Sequence, residues 1–165
     1  MQGSKFRIGG IIQKGDLARI SILGLPDRPD AVAAVLTALG DNNINCTFIV
    51  HAFCIHHRHS MVICVARDCL AAALDILETV CREQGAEAML HTDDVVMLAI
   101  FGPHFGERPG VAGTMFTALA LANIHTLAIS TSVSTVSCIV EAAQMDDAIQ
   151  VLRETFLPPR TINCE

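Results

Sequence analysis

The second half of the chain repeats the first. Asp27-Arg28-Pro29 lies 80 positions before Glu107-Arg108-Pro109, and the same offset relates Thr37-Ala38-Leu39 to Thr117-Ala118-Leu119, Asn43-Ile44 to Asn123-Ile124, and Ile49 to Ile129. Further on the offset shortens, so that Cys64 answers to Cys138 and Leu77 to Leu152, because the first copy carries extra residues around Phe53 to His59. By length alone, 165 residues suggest one domain. The repeat instead requires two copies of one supersecondary unit, each built the same way.

Periodicity gives the unit. Ala18, Ile20 and Ile22 alternate with Arg19 and Ser21, which predicts a strand with one face in the core, ended by Gly24. Val32, Val35, Leu36 and Leu39 recur at helical spacing, so a helix follows, entered through Pro29 with Asp27 placed to cap its N–H groups. Strands are expected over Ile44 to Phe53 and Met61 to Ala66, joined by a polar, His-rich hairpin tip, and then a helix from Asp68 to Arg82. The second copy gives Val95 to Phe101, a helix from Pro109 to Ala122, strands at Ile124 to Ser132 and Thr135 to Glu141, and a helix carrying Met145, Ile149, Leu152 and Phe156 on one side. Strand, helix, strand, strand, helix, twice over, is an α+β ferredoxin-like arrangement. Gly85 to His91 is a candidate fourth strand, and Phe6 to Gln13 can complete either sheet, so a strand exchanged between units is expected.

Charge and composition narrow the partners. The formal charge of −6 leaves no basic face for nucleic acid or an anionic membrane. No apolar run approaches the ~20 residues of a membrane span, and Met1 to Gly15 lacks a hydrophobic signal core, so a cytoplasmic protein is expected. Seven cysteines, odd in number and scattered, read as reduced thiols, with Cys64 and Cys138 as core residues. Apolar residues make up 52% of the chain, and Val95 to Phe101 is apolar on both faces although helices cover only one. The other unit, a second subunit, or both would cover the remaining face, and a homodimer at least is expected.

Five segments carry a resemblance: Ile20-Ser21-Ile22-Leu23-Gly24-Leu25-Pro26-Asp27-Arg28-Pro29, Asn43-Ile44-Asn45, Arg108-Pro109-Gly110-Val111-Ala112, Ala122-Asn123-Ile124, and Ile129-Ser130-Thr131-Ser132. Together they resemble tandem ACT domains, most closely the pair at the C-terminal end of aspartokinases. The resemblance implies an N-terminal strand segment over 1–16 that completes an ACT sheet, a first ACT domain over 17–92 and a second over 93–165. It implies a regulatory protein that binds an amino acid, usually threonine or lysine, in aspartate-family biosynthesis. The signal would pass to a kinase catalytic subunit. No kinase domain and no G-x-x-x-x-G-K-[ST] motif is present in these residues, so the chain itself is expected to be non-catalytic and to need no cofactor.

The chemistry of a free amino acid fits the turn after each first strand. The helix that opens there offers backbone N–H groups at Ala31 and Val32 to a carboxylate, and Asp27 or Asp30 can take the ammonium. The resemblance places the opposite wall on a neighbouring unit, at Asn45 and His51 in the first copy and Asn123, Ile124, His125 and Thr126 in the second. Asp30 stands where that family usually has glycine, His51 where glutamine is common, His125 where asparagine is common, and Val133 where glutamate is common. Gly110 keeps the usual turn in the second copy, so one intact and one altered site is expected.

Other readings of the same residues are open. Asp27 can serve only as a helix cap, and Asn43 and Asn123 only as left-handed turns. His51, Cys54, His56, His57 and His59 are rich in metal ligands, but an extended segment puts His57 and His59 on one face and Cys54 and His56 on the other. His56, His57 and His59 are therefore candidate ligands only if the tip bends. Ser130, Thr131 and Ser132 have no acid–base partner placed by a motif. A structural or assembly subunit with a degenerate site, and a metal- or pH-responsive module, are the alternatives to an amino-acid sensor.

Overall fold

A computed structural model describes residues 5–54, 58–103 and 105–159. Six strands and four helices run in the order β1 (Gly10–Pro26), α1 (Pro29–Asp41), β2 (Phe48–Cys54), β3 (Arg58–Ala66), α2 (Leu70–Gln84), β4 (Ala88–Phe101), α3 (Val111–Leu121), β5 (Ala128–Thr131), β6 (Thr135–Glu141) and α4 (Met145–Thr155). The chain divides into two units, one of residues 16–95 and one of residues 1–15 with 96–165. Each has the ferredoxin-like pattern. No helix among the described residues is long and apolar enough to cross a membrane.

In the unit of 16–95, the strand order is β2-β3-β1-β4. Ile20 pairs with Ile63 and Ile22 with Met61 across β1 and β3, and Ile49 pairs with Ile63 across β2 and β3. Ile20, Ile22, Met61, Ile63 and Val65 therefore project from one side, where Ala31, Val35 and Leu39 of α1 and Ala73, Leu77 and Cys81 of α2 close the core. In the other unit the order is β1-β4-β6-β5, and Val96, Leu98 and Ile100 meet Val136, Cys138 and Val140, covered by Met115, Leu119, Ala148 and Leu152. Cys64 and Cys138 are both fully buried.

Several boundaries differ from expectation, each for a local reason. Gly24 does not end the first strand. It sits inside β1 at a shift of register between Ile22 and Leu25, with φ of 69°, so the strand bulges and continues to Pro26. The fourth strand of the first copy and the first strand of the second are one element, β4, because nothing between Ala88 and Phe101 breaks an extended chain. β2 begins at Phe48 rather than Ile44, and β5 at Ala128 rather than Ile124. Asn43 and Asn123 each take φ of 57° and spend the following residues on a turn. The segment before β1 joins the unit of 96–165: the Gly9 N–H donates to the Phe101 carbonyl, and Phe6 and Ile8 exchange hydrogen bonds with Leu157.

The sheet faces away from the helices are not solvated. Leu17, Ser21, Phe48 and Cys64 in one unit, and Ala99 and Ile139 in the other, are buried in the single chain although they belong to neither helix-covered core.

Candidate functional site

In the first copy the turn after β1 is already occupied. α1 starts at Pro29 with Arg28 as its N-cap and no side-chain cap, so Asp27 does not cap the helix. Its carboxylate instead accepts a hydrogen bond of 2.9 Å from Nε2 of His59, the β3 residue that pairs with Phe53. The His51 ring stacks on His59 with centroids 4.7 Å apart, and Phe53 meets it edge-on at 5.2 Å. His59 is consequently no solvated hairpin residue. Its side chain is only 15% exposed, and its Nδ1 is buried with no hydrogen-bond partner among the described residues.

The other first-copy candidates are scattered or engaged. The Asp30 carboxylate lies 3.7 Å from Nε of Arg28, whose guanidinium also donates to Gln84 Oε1 at 2.8 Å. The Ala31 N–H donates to the Arg28 carbonyl and its side chain is fully buried, while Val32 packs against the core. Asn45 is exposed in the loop before β2. His56 and His57 lie outside the described residues, and among those described no three His, Cys, Asp or Glu residues converge as a metal site.

In the second copy Asn123, Ile124 and His125, named from the neighbouring-strand position, have local partners. Ile124 is buried in the core, and the backbone on either side of it is clamped by Gln144, which accepts from the His125 N–H at 3.2 Å and donates to the Asn123 carbonyl at 3.1 Å. A cavity of about 230 Å³ opens instead beside the start of α3, lined by Arg108, Gly110, Val111, Ala112, Thr131 and Ser132 with Phe105 and Val136 at its base. Gly110 caps α3 at φ of 97° with no side chain over the helix end, and the first helical bond runs from the Thr114 N–H to the Gly110 carbonyl. The N–H groups of Val111, Ala112 and Gly113 precede that bond, the arrangement that favours an anion.

Two hydroxyls border this cavity and differ in what they do. Ser132 Oγ is 2.7 Å from Thr135 Oγ1 and accepts from the Thr135 and Ser134 N–H groups, so it closes the turn between β5 and β6. Thr131, the last residue of β5, is exposed and is not used in that turn. Sequence reasoning marks Gly110 as the usual turn and weighs the Thr131 and Ser132 hydroxyls; what it misses is that these residues share one cavity with Arg108, Val111 and Ala112. The signal was available, because the 80-residue offset carries Ala31 and Val32 onto Val111 and Ala112.

Comparison with known proteins decides what this arrangement is. A family model described as an ACT domain matches residues 98–156. An aspartate kinase of Stutzerimonas stutzeri is 30% identical over 149 residues, 90% of this chain and 36% of that protein. The ligand-free regulatory subunit of aspartate kinase from Thermus thermophilus superposes with a TM-score of 0.82 at 29% identity, over 91% of this chain and 99% of that one. The corresponding regulatory subunit from Thermus flavus gives 0.84 at 29% identity, over 92% and 99%.

These are tandem ACT domains, most like the regulatory subunit of aspartokinase.

The tandem ACT pair spans little more than a third of the length of the full aspartate kinases it matches, and it corresponds to their regulatory rather than their catalytic part. Its thiols suit that assignment. Burial pushes Cys64 and Cys138 up to about 12, so both remain protonated core groups and not nucleophiles. Cys46 and Cys81 are raised by burial too, and Cys69 by its hydrogen bond to Asp68.

Proposed function

We propose that the tandem ACT pair is an amino-acid sensor of aspartate-family biosynthesis, and that its competent site is the cavity at the start of α3. The observation that carries this is the pairing of an uncapped helix N-terminus at Gly110 with the free-standing Thr131 hydroxyl across about 230 Å³. That volume lies below the ~300–1,000 Å³ usual for drug-sized ligands and suits one small amino acid. The carboxylate would lie on the N–H groups of Val111 and Ala112 beside Arg108, and the Thr131 hydroxyl would accept from the ammonium. Gly110 matters here because its φ of 97° strains any residue with a Cβ.

The first copy is read as the altered site. Asp30 puts a negative charge at the head of α1, where the ligand carboxylate would approach, and Asp27 is held by His59. A solved structure of aspartokinase alpha and beta subunits, 28% identical over 90% of this chain, supports a catalytic kinase subunit as the partner. Exposed Ile49 and Phe53 on the edge strand β2 support self-association through that edge. A cytoplasmic location follows from the same reading.

A thermal-shift screen of the chain against the twenty amino acids, followed by calorimetry, tests this. One amino acid should raise the melting temperature, since a ligand that binds only the native state stabilises it. Thr131→Val, which keeps the β-branched shape, should weaken binding about 10-fold or more, given ~1.5–3 kcal/mol for a hydrogen bond to a charged group. Binding that survives Thr131→Val but is lost in Asp27→Ala would move the site to the first copy. No selective shift with any amino acid would reject the sensor reading.

A further inference from the structure

A second and larger cavity, about 750 Å³, opens in the same unit where residues 5–9 pass the residues 157–159 that follow α4. Lys5, Arg7 and Arg108 border it, and no Asp or Glu does so among the described residues. In a chain of net charge −6, with 11 basic residues against 17 acidic, a wall holding three cations and no carboxylate is a departure from the surrounding field. None of the three cations has an ion-pair partner among the described residues. Lys5 Nζ donates to the Glu154 carbonyl and Arg7 Nη1 to the Pro158 carbonyl, both at 2.6 Å, and these acceptors are neutral.

Arg108 has no side-chain hydrogen bond or ion pair among the described residues. The repeat makes this informative. Its counterpart Arg28 is neutralised by Asp30 at 3.7 Å and bonded to Gln84, whereas the position equivalent to Asp30 is Gly110, which leaves the Arg108 guanidinium with all five donors available. The remaining wall is apolar, with Phe6, Leu157 and Pro159.

We infer that this cavity binds an organic phosphate of the nucleotide class, with its phosphate groups on Lys5, Arg7 and Arg108 and its organic part against Phe6, Leu157 and Pro159. Three cations call for an anion with two or more charges, which a monocarboxylate amino acid does not carry. Guanidinium groups match phosphate oxygens in paired geometry. The volume falls within the ~300–1,000 Å³ of small-molecule sites, and apolar walls with a few convergent polar groups are their usual lining. The inference stands whether or not the smaller cavity takes an amino acid.

Calorimetry of the full chain with ATP, tripolyphosphate and adenosine tests it. ATP should bind, tripolyphosphate should bind at least 10-fold more weakly, and adenosine should give no heat. Arg108→Gln removes a side chain with no hydrogen bond or ion pair among the described residues, so the fold is kept and ATP affinity should fall at least 10-fold; because Arg108 also borders the smaller cavity, the readout is ATP binding and not amino-acid binding. Lys5→Ala with Arg7→Ala should do the same. Because those two side chains also bond to the Glu154 and Pro158 carbonyls, Lys5→Arg with Arg7→Lys serves as the charge-preserving control and should stay within about threefold of the original affinity. Absence of ATP binding, equal affinity for ATP and tripolyphosphate, or ATP binding unchanged in Arg108→Gln would each overturn the inference.

Discussion

Alkali should unfold this protein through two thiols. Cys64, on the face of β3 away from the helices, and Cys138, in a helix-covered core at the position that answers to Ile63, are fully buried, and desolvation raises each from 9.0 to about 12 in the folded chain. A raised folded pKa means that the native state keeps protons the unfolded state has released. The stability this represents is therefore intact below pH 9 and is lost as pH climbs toward 12. Each thiol should steepen the fall by about 1.4 kcal/mol per pH unit, and the pair by about 2.7, against a total stability of ~5–15 kcal/mol for a typical domain. Cys46 and Cys81 add to the same sign. The chain has no tyrosine and its only lysines are Lys5 and Lys14, so what titrates in that window is chiefly cysteine, and the other five thiols are a background shared with the double variant below. Urea midpoints by circular dichroism, taken under reducing conditions between pH 8 and 11, give the slope, and thiolate absorbance reports the titration itself. Replacing both residues with alanine costs a pH-independent offset for the lost packing, but it should also flatten the slope by the amount above. A double variant with the original slope would show that burial of these thiols is not what the pH dependence reads.

Two further outcomes follow from packing and turn geometry. A Cβ at Gly9 would sit 2.6 Å from the Phe101 ring and 3.3 Å from its carbonyl oxygen, so Gly9→Ala should destabilise by about 1–3 kcal/mol. Much of that should be recovered in the Gly9→Ala, Phe101→Leu pair when both are measured by urea denaturation in a double-mutant cycle. Ser132→Ala should cost about 0.5–1 kcal/mol, because the exposed Ser134 and Thr135 N–H groups exchange their acceptor for water. Thr131→Val should leave the urea midpoint within about 0.5 kcal/mol of the unmodified chain.

The architecture was legible because the repeat and the 2.0 and 3.6 periodicities point to the same elements in both copies. Ile20, Ile22, Val35, Leu39 and Leu77 occupy the core positions their spacing implies. Boundaries were less legible wherever one residue had two roles. Gly24 looks like a strand end in sequence, yet the register can absorb it as a bulge, since only long-range pairing with β3 decides between them. Nothing in the sequence shows that the stretch from Ala88 to Phe101 joins two units' strands into one. The site was less legible still. His59 sits in a run of polar residues that reads as a solvated tip, and it becomes a buried partner of Asp27 only because β3 extends back to Arg58 and brings His51 and Phe53 alongside. Asn123 and His125 were attractive as polar residues at a strand start, but Gln144, 19 residues beyond His125, claims their backbone.

The two copies differ most at the one turn where a shared function would keep them alike, and that difference makes a stoichiometric prediction. In the second copy Gly110 leaves the helix end uncapped and Arg108 uncompensated. In the first, Asp30 stands at the helix head and pairs with Arg28. That ion pair is a minor structural element, since its side chains are 68% and 51% exposed and exposed pairs contribute at most ~1 kcal/mol. The charge of Asp30 bears more heavily on any anion approaching α1 than on folding, because it sits in the first turn, where the helix dipole would otherwise favour a ligand carboxylate. Calorimetric titration with the amino acid found by the thermal screen should therefore give one equivalent per chain. Asp30→Gly should lower stability by only about 1 kcal/mol while a second, weaker equivalent appears. Two equivalents bound by the unmodified chain would refute the asymmetry. A single equivalent in both proteins would show that Asp30 is not what closes the first copy, and would leave the hold of His59 on Asp27 as the barrier to remove.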